Sequence, residues 1–287
     1  MKLTGRRESS NVEDRRGLSG GAKAGIGGGI GAVIIGILFS LFNGGQVDVG
    51  QIVSAVQQQV APAGNTDPAN FSEEEQQLAK ECKQILASTE EVWSQVFKEN
   101  GWGDYKEPTL VLFTNSVNSA CGSATASVGP FYCRGDEKLY IDLSFFTEMK
   151  RQLGVEGNTF AYAYVIAHEI GHHVEFLRGI LTKDWSYLGE TQNQVSVRTE
   201  LLADYYAGVW AHYEEAKHHS LEDGDIDRAI ELAQKIGDDW LMKQSQGYAV
   251  EEKFTHGTSA QRKRWLKRGL ETGDMRTTTF TVPYDNL

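Results

Sequence analysis

The sequence predicts an α+β fold: a mostly helical domain with a small sheet, set behind one N-terminal transmembrane helix. Three observations carry this prediction. Residues 24–42 form a nineteen-residue apolar run without a charge. After residue 71, long stretches repeat their apolar positions at three- and four-residue spacing, the period of an amphipathic helix. Two short apolar runs, at 108–113 and from 138, have the length of strands.

Bulk properties narrow the function classes. At 287 residues the chain is long enough for one sizeable domain, or for one domain plus an appendage. Its net charge of −11 gives it no general attraction for a polyanion, so no nucleic-acid partner is expected. Three cysteines are too few for a disulfide scaffold or a Cys-rich zinc module.

Four segments follow from the N-terminus. Residues 1–23 carry Lys2, Arg6, Arg7, Arg15, Arg16 and Lys23 against Glu8, Glu13 and Asp14. Residues 24–42, "AGIGGGIGAVIIGILFSLF", would cover roughly 28 Å as a helix, close to the hydrocarbon thickness. No lysine or arginine then appears before Lys80. The positive-inside rule therefore predicts a single-pass protein of the cell membrane with a cytoplasmic N-terminus. The remainder would be extracytoplasmic, in a periplasm or outside the cell. No small-residue cleavage site follows the apolar run, so the anchor is expected to be retained. Residues 43–70, with "APAGNTDPAN", have the composition of a flexible tether. Residues 71–287 form the domain.

Within the domain, Ser72 and Glu75 have capping-box spacing at the start of a helix. Leu78, Cys82, Ile85, Leu86, Val92, Trp93, Val96 and Phe97 give that helix its apolar face, with Cys82 as a packed thiol. "PTLVLF" is a buried strand, and "KLYIDLSFF" begins as a strand beside the cleft. Between them Cys121 and Cys133 bracket a Gly-, Ser- and Ala-rich loop, a pattern that predicts a disulfide in an exported domain. A helix then carries "AHEIGHHVE", residues 167–175, and another runs over about 194–217. "DIDRAIELAQKIGDDWLMK" is predicted as one helix, and "SAQRKRWLKRGLETGD" as a basic helix ending at glycine. The tail "TTTFTVPYDNL" is β-prone or disordered.

The chemistry concentrates in "AHEIGHHVE". His168 and His172 lie four apart, so one helical face brings both imidazoles to one ion, about 2.0–2.1 Å from each nitrogen. Glu169 is placed to reach water in an open coordination position without being a ligand, which suits a general base. His173 points round the helix and is assigned a supporting or structural role. A third ligand is needed, and "RTELLADYYAGVWAHY" places Glu200 and Asp204 on one face of an otherwise apolar helix. Glu200 completes a His2Glu set, and Asp204 accepts the Nδ1–H of a ligating histidine. The exchange of these two roles is the competing assignment.

HExxH followed by E-L-x-A-D resembles the gluzincin branch of zinc metallopeptidases. "CGSATASVGPFYC", "YIDLSFF", "HEIGHHVE", "ELLADYYAGVWA" and "HGTSAQRKRW" together narrow this. They are similar to the YpfJ-type family of putative neutral zinc metallopeptidases, over nearly the whole chain. The resemblance implies a zincin-like domain with Zn2+ on His168, His172 and Glu200, and Glu169 catalytic in the hydrolysis of a peptide or protein substrate. His256, in the polar loop "THGTSAQR", is the candidate second donor to the developing oxyanion; Tyr205 and Tyr206 are alternatives. Substrate would add as an extended strand beside 138–143. An HExxH site inside the bilayer is at odds with the polar Asn158, Glu175 and Arg178 around it. The non-enzymatic alternative is a membrane-tethered zinc-binding scaffold, against which the intact Glu169 speaks.

Overall fold

The computed structural model describes residues 1–17, 71–154 and 159–287. The expected membrane span at 24–42 and the tether at 43–70 lie outside these residues. Among the described residues, no helix is long and apolar enough to cross a membrane.

Two layers make up the molecule: a small mixed sheet and a helical body. The sheet has the order β1-β2-β6-β5, formed by Val12–Asp14 (β1), Thr109–Phe113 (β2), Lys138–Asp142 (β6) and Phe131–Cys133 (β5). β1, β2 and β6 run parallel, whereas β5 is antiparallel to β6. β2 and β6 are nearly continuous apolar runs, as interior strands with both faces covered require. Side chains alternate between the faces. Leu110, Leu112, Leu139 and Ile141 join the main core, while Val111, Phe113 and Tyr140 form a smaller cluster with Cys133 and Val117. The latter comes from the hairpin of Ser116–Ser119 (β3) and Gly122–Thr125 (β4). The strand from 138, expected beside the cleft, is thus an interior strand; the edge strand on its open side is the shorter β5.

Residues 1–17 are part of this domain. β1 pairs with the free edge of β2, and Leu3 is buried in the main core.

Glu73–Glu99 (α1) is capped by the Ser72 side chain, which accepts from the Glu75 N–H at 3.1 Å. Glu75 does not return the bond as the capping-box spacing predicts; its carboxylate turns to Arg16 at 3.4 Å. Ser144–Leu153 (α2) precedes Thr159–Leu177 (α3), which carries the histidines. Gln192–His218 (α4) is the central helix, buried on most of its circumference. Complete capping boxes start α4 (Thr191 with Gln194) and Ser259–Thr272 (α7; Thr258 with Gln261).

The stretch predicted as one helix from Asp225 is two: Asp225–Lys235 (α5) and Asp238–Gln246 (α6). The break falls at Gly237, where a Cβ would lie 2.4 Å from the Ser259 backbone nitrogen. Only a residue without a side chain lets α7 begin against this turn. The tail is neither strand nor disordered. It forms short 3-10 turns, with Phe280 stacked on Trp185 at 3.8 Å and the Thr279 hydroxyl donating to the Arg198 carbonyl at 2.8 Å.

Candidate metal centre

α3 and α4 build the centre together. His168 and His172 stand one turn apart on α3, their rings nearly perpendicular at 4.9 Å. Glu200 and Asp204 stand one turn apart on α4. The helices cross where Gly171 of α3 meets Ala203: a Cβ on Gly171 would be 2.9 Å from both the Cα and the carbonyl oxygen of Ala203. The glycine inside the histidine motif thus permits the approach that brings the two pairs together.

Both imidazoles turn Nε2 toward Glu200. His168 Nε2 is 3.1 Å from Oε2, and His172 Nε2 is 3.5 Å from Oε1. Each of the three residues offers a ligand atom within 4.8 Å of the others. Ligands at the usual zinc distances in a tetrahedron stand about 3.3 Å apart, so this donor set fits a small divalent cation.

The other ring nitrogens are committed to carboxylates. His168 Nδ1 lies 2.9 Å from Asp204 Oδ1, and His172 Nδ1 lies 2.8 Å from Glu175 Oε2. Both acids are fully buried. An Nδ1–H donated to each fixes the tautomer that leaves Nε2 free to bind a metal. Asp204 also accepts from the Tyr164 hydroxyl at 2.7 Å and from two nitrogens of the buried Arg262, at 2.8 and 2.9 Å. Glu175 was absent from the sequence-based site. Its signal is the i+3 spacing from His172 in an apolar helix, and Tyr164 has a similar one, four residues before His168; Arg262 is brought in only by tertiary packing.

Burial and charge set the proton affinities in the metal-free chain. Burial lowers the His168 value, but the charge and hydrogen bond of Asp204 outweigh it and raise it to about 9. For His172 burial is likewise overcome, by Glu200 and Glu175, and the value rises well above the ordinary one. Burial opposes ionisation of Asp204, yet Arg262 and His168 bring it down to about 2. Glu200 falls well below the ordinary range, with His172 and His256 overcoming burial. Glu175 is pushed up to about 7 by burial, partly offset by His172. Burial also raises Glu169, against the lowering charges of His168 and His172.

His173 faces away from this centre. Its Nε2–H donates to the Lys106 carbonyl at 2.6 Å, and its Nδ1 accepts from the Tyr132 hydroxyl at 2.9 Å. It pins β5 and the approach to β2 onto α3. Cys121 and Cys133 are bonded, with Cα atoms 5.8 Å apart, and tie the end of β5 to the β3–β4 turn.

His256 is half-buried in the loop before α7, close enough to Glu200 for that charge to raise its pKa against burial. The carboxylate of Asp238 holds this loop. One oxygen accepts the backbone N–H groups of Thr255, His256 and Gly257 at 2.7, 2.7 and 3.0 Å, and the other faces His256 Nδ1 at 3.2 Å. Asp238 escaped the sequence reading because it opens a helix eighteen residues away. Tyr205 and Tyr206 are buried in the core. The Tyr205 hydroxyl donates to the Asp274 carbonyl, and Tyr206 packs edge-on against Trp93.

No solved structure matches this chain. Its sequence is 43% identical to the uncharacterized protein YpfJ of Escherichia coli, over 96% of both chains. It is 38% identical to uncharacterized proteins of Mycobacterium bovis and Mycobacterium tuberculosis, over 68% of each chain. The family model described as "Putative neutral zinc metallopeptidase" matches residues 1–280, a span that includes both the metal centre and the N-terminal strand, and the chain belongs to that family.

Proposed function

We propose that this protein is a zinc metalloendopeptidase with His168, His172 and Glu200 as metal ligands and Glu169 as general base. The observation that carries the proposal is the orientation of both Nε2 atoms toward one carboxylate, while each Nδ1 is held by a separate buried acid. Zinc, when bound there, supplies a Lewis acid that makes water a nucleophile at neutral pH. Glu169 takes the proton of the attacking water and passes it to the leaving amine; its raised pKa suits both roles. His256, fixed by Asp238, donates a hydrogen bond from Nε2 to the oxyanion that develops on the scissile carbonyl. An extended peptide docks along β5 through main-chain hydrogen bonds. The apolar segment at 24–42 supports membrane association, and the Cys121–Cys133 pair supports an oxidising, extracytoplasmic setting.

Two variants test this reading. Glu169→Gln should retain zinc and lose cleavage of an unfolded protein substrate, whereas Glu200→Ala should lose the metal itself. Metal analysis and peptide products read the two outcomes separately. Cleavage retained in Glu169→Gln would remove the glutamate from the mechanism, and no metal-dependent cleavage by the parent protein would favour a zinc-binding scaffold.

A further inference from the structure

A single crossing at 24–42 would put residues 1–23 and the metal centre on opposite faces of a membrane. The first seventeen residues are instead packed on the domain that holds the metal centre. β1 adds to β2 with Val12 opposite Leu110 and Asp14 opposite Leu112. The ladder includes Leu110 N–H to the Asn11 carbonyl at 2.9 Å and Arg15 N–H to the Leu112 carbonyl at 2.7 Å. Upstream, the carbonyls of Leu3 and Arg6 accept from the buried Gln84 amide of α1 at 3.1 and 3.0 Å.

The arginines of this segment find partners in the same domain. Arg6 makes a two-pronged pair with Glu214 of α4 at 2.6 and 3.2 Å, and Arg7 meets Glu90 of α1 at 2.7 Å. Arg16 bridges Asp14 at 2.7 Å and Glu75 at 3.4 Å. Glu90 further accepts from the Ser9 hydroxyl and, at 2.9 Å, from the Asn11 amide. Glu90 and Glu214 are buried carboxylates, and a buried carboxylate needs such partners. Three of the positive charges that orientation rules would count, on Arg6, Arg7 and Arg16, are thus matched to Glu214, Glu90 and Glu75 on the helices of the domain.

We infer that residues 1–17 are the first strand of the metal-centre domain and share its side of any membrane. Exchange of β1 between two copies does not rescue a single crossing, because every copy would hold its N-terminus on the far face. The inference is independent of the metal and of peptidase activity.

Cysteine labelling of the full-length chain tests it. Ser10→Cys marks the N-terminal segment and Lys98→Cys marks the end of α1; both positions are exposed. Cys82 is buried and Cys121 and Cys133 are bonded, so the background is low. A membrane-impermeant maleimide is applied to intact spheroplasts and again after permeabilisation with detergent. The expected result is equal behaviour: both positions label before permeabilisation, or neither does. Labelling of one position in intact cells and of the other only after detergent would overturn the inference. Glu8→Cys, also exposed, repeats the measurement should substitution at Ser10 disturb the segment.

Discussion

Each imidazole of the proposed centre turns one nitrogen toward Glu200 and the other toward a buried acid, and the two acids are not equivalent. Asp204 is saturated with donors and stays ionised. Glu175 has one oxygen on His172 and a buried Oε1 without a partner among the described residues, which is why burial lifts it to about 7. In the metal-free protein His168 and His172 hold protons above their ordinary range, so a metal must displace them. The sign follows: apparent metal affinity rises with pH, and for His168 it does so up to about 9. Glu175→Gln should weaken binding by about 10–100-fold, as loss of an outer carboxylate does. The variant also relaxes the hold on the His172 proton, so its deficit should be largest at high pH and shrink on acidification. Competitive metal titrations between neutral and alkaline pH read this, and equal affinities throughout would take Glu175 out of the site.

The metal centre depends on how closely two helices approach, and a single glycine sets that distance. Gly171→Val would force a side chain into the Ala203 backbone, costing about 1–3 kcal/mol as overpacking does. The larger effect should be on the metal, because spreading α3 from α4 separates His168 and His172 from Glu200. Metal content lost beyond what the fall in melting temperature explains is the expected result; full metal retention would show that the crossing tolerates a branched side chain. This division also marks what the sequence could disclose. Spacing along one helix is enough to pair His168 with His172 and Glu200 with Asp204, since the period is local. The i+3 partner Glu175 obeys the same local rule and was legible in principle. Tyr164, one turn before His168 on α3, obeys it too. Asp238 and Arg262 reach the centre from other elements, and no local period encodes them. The strand at 138–142 was legible as a strand but not as interior, because strand order is a property of the assembled sheet. The helix predicted from Asp225 breaks at Gly237 for the same reason: the obstacle is Ser259, twenty-two residues away in sequence.

At the scale of the whole molecule, the sheet is complete only with β1, and the N-terminal segment is bound to α1 and α4 through buried charge. Arg6→Ala tests how much the segment contributes. It leaves the fully buried Glu214 with the Ser88 hydroxyl, at 2.6 Å, in place of a two-pronged guanidinium. Breaking a buried pair by removing one partner costs about 3–5 kcal/mol, and the partial exposure of Arg6 reduces this to roughly 2–3 kcal/mol. For a domain of this size that is roughly 5–10 °C in melting temperature. Burial raises the pKa of Glu214, but the hydrogen bonds from Arg6 and Ser88 and the Arg6 charge outweigh it and lower the value. A carboxylate with a depressed native pKa contributes stability above its unfolded value, about 4.3, and loses it as pH falls through the native value. The gap between parent and Arg6→Ala should therefore be full at neutral pH and close on acidification below about 4. Thermal unfolding of the full-length protein across that range measures it. A variant as stable as the parent at neutral pH would mean that the segment leaves the domain in solution, and β2 would then stand as an open edge.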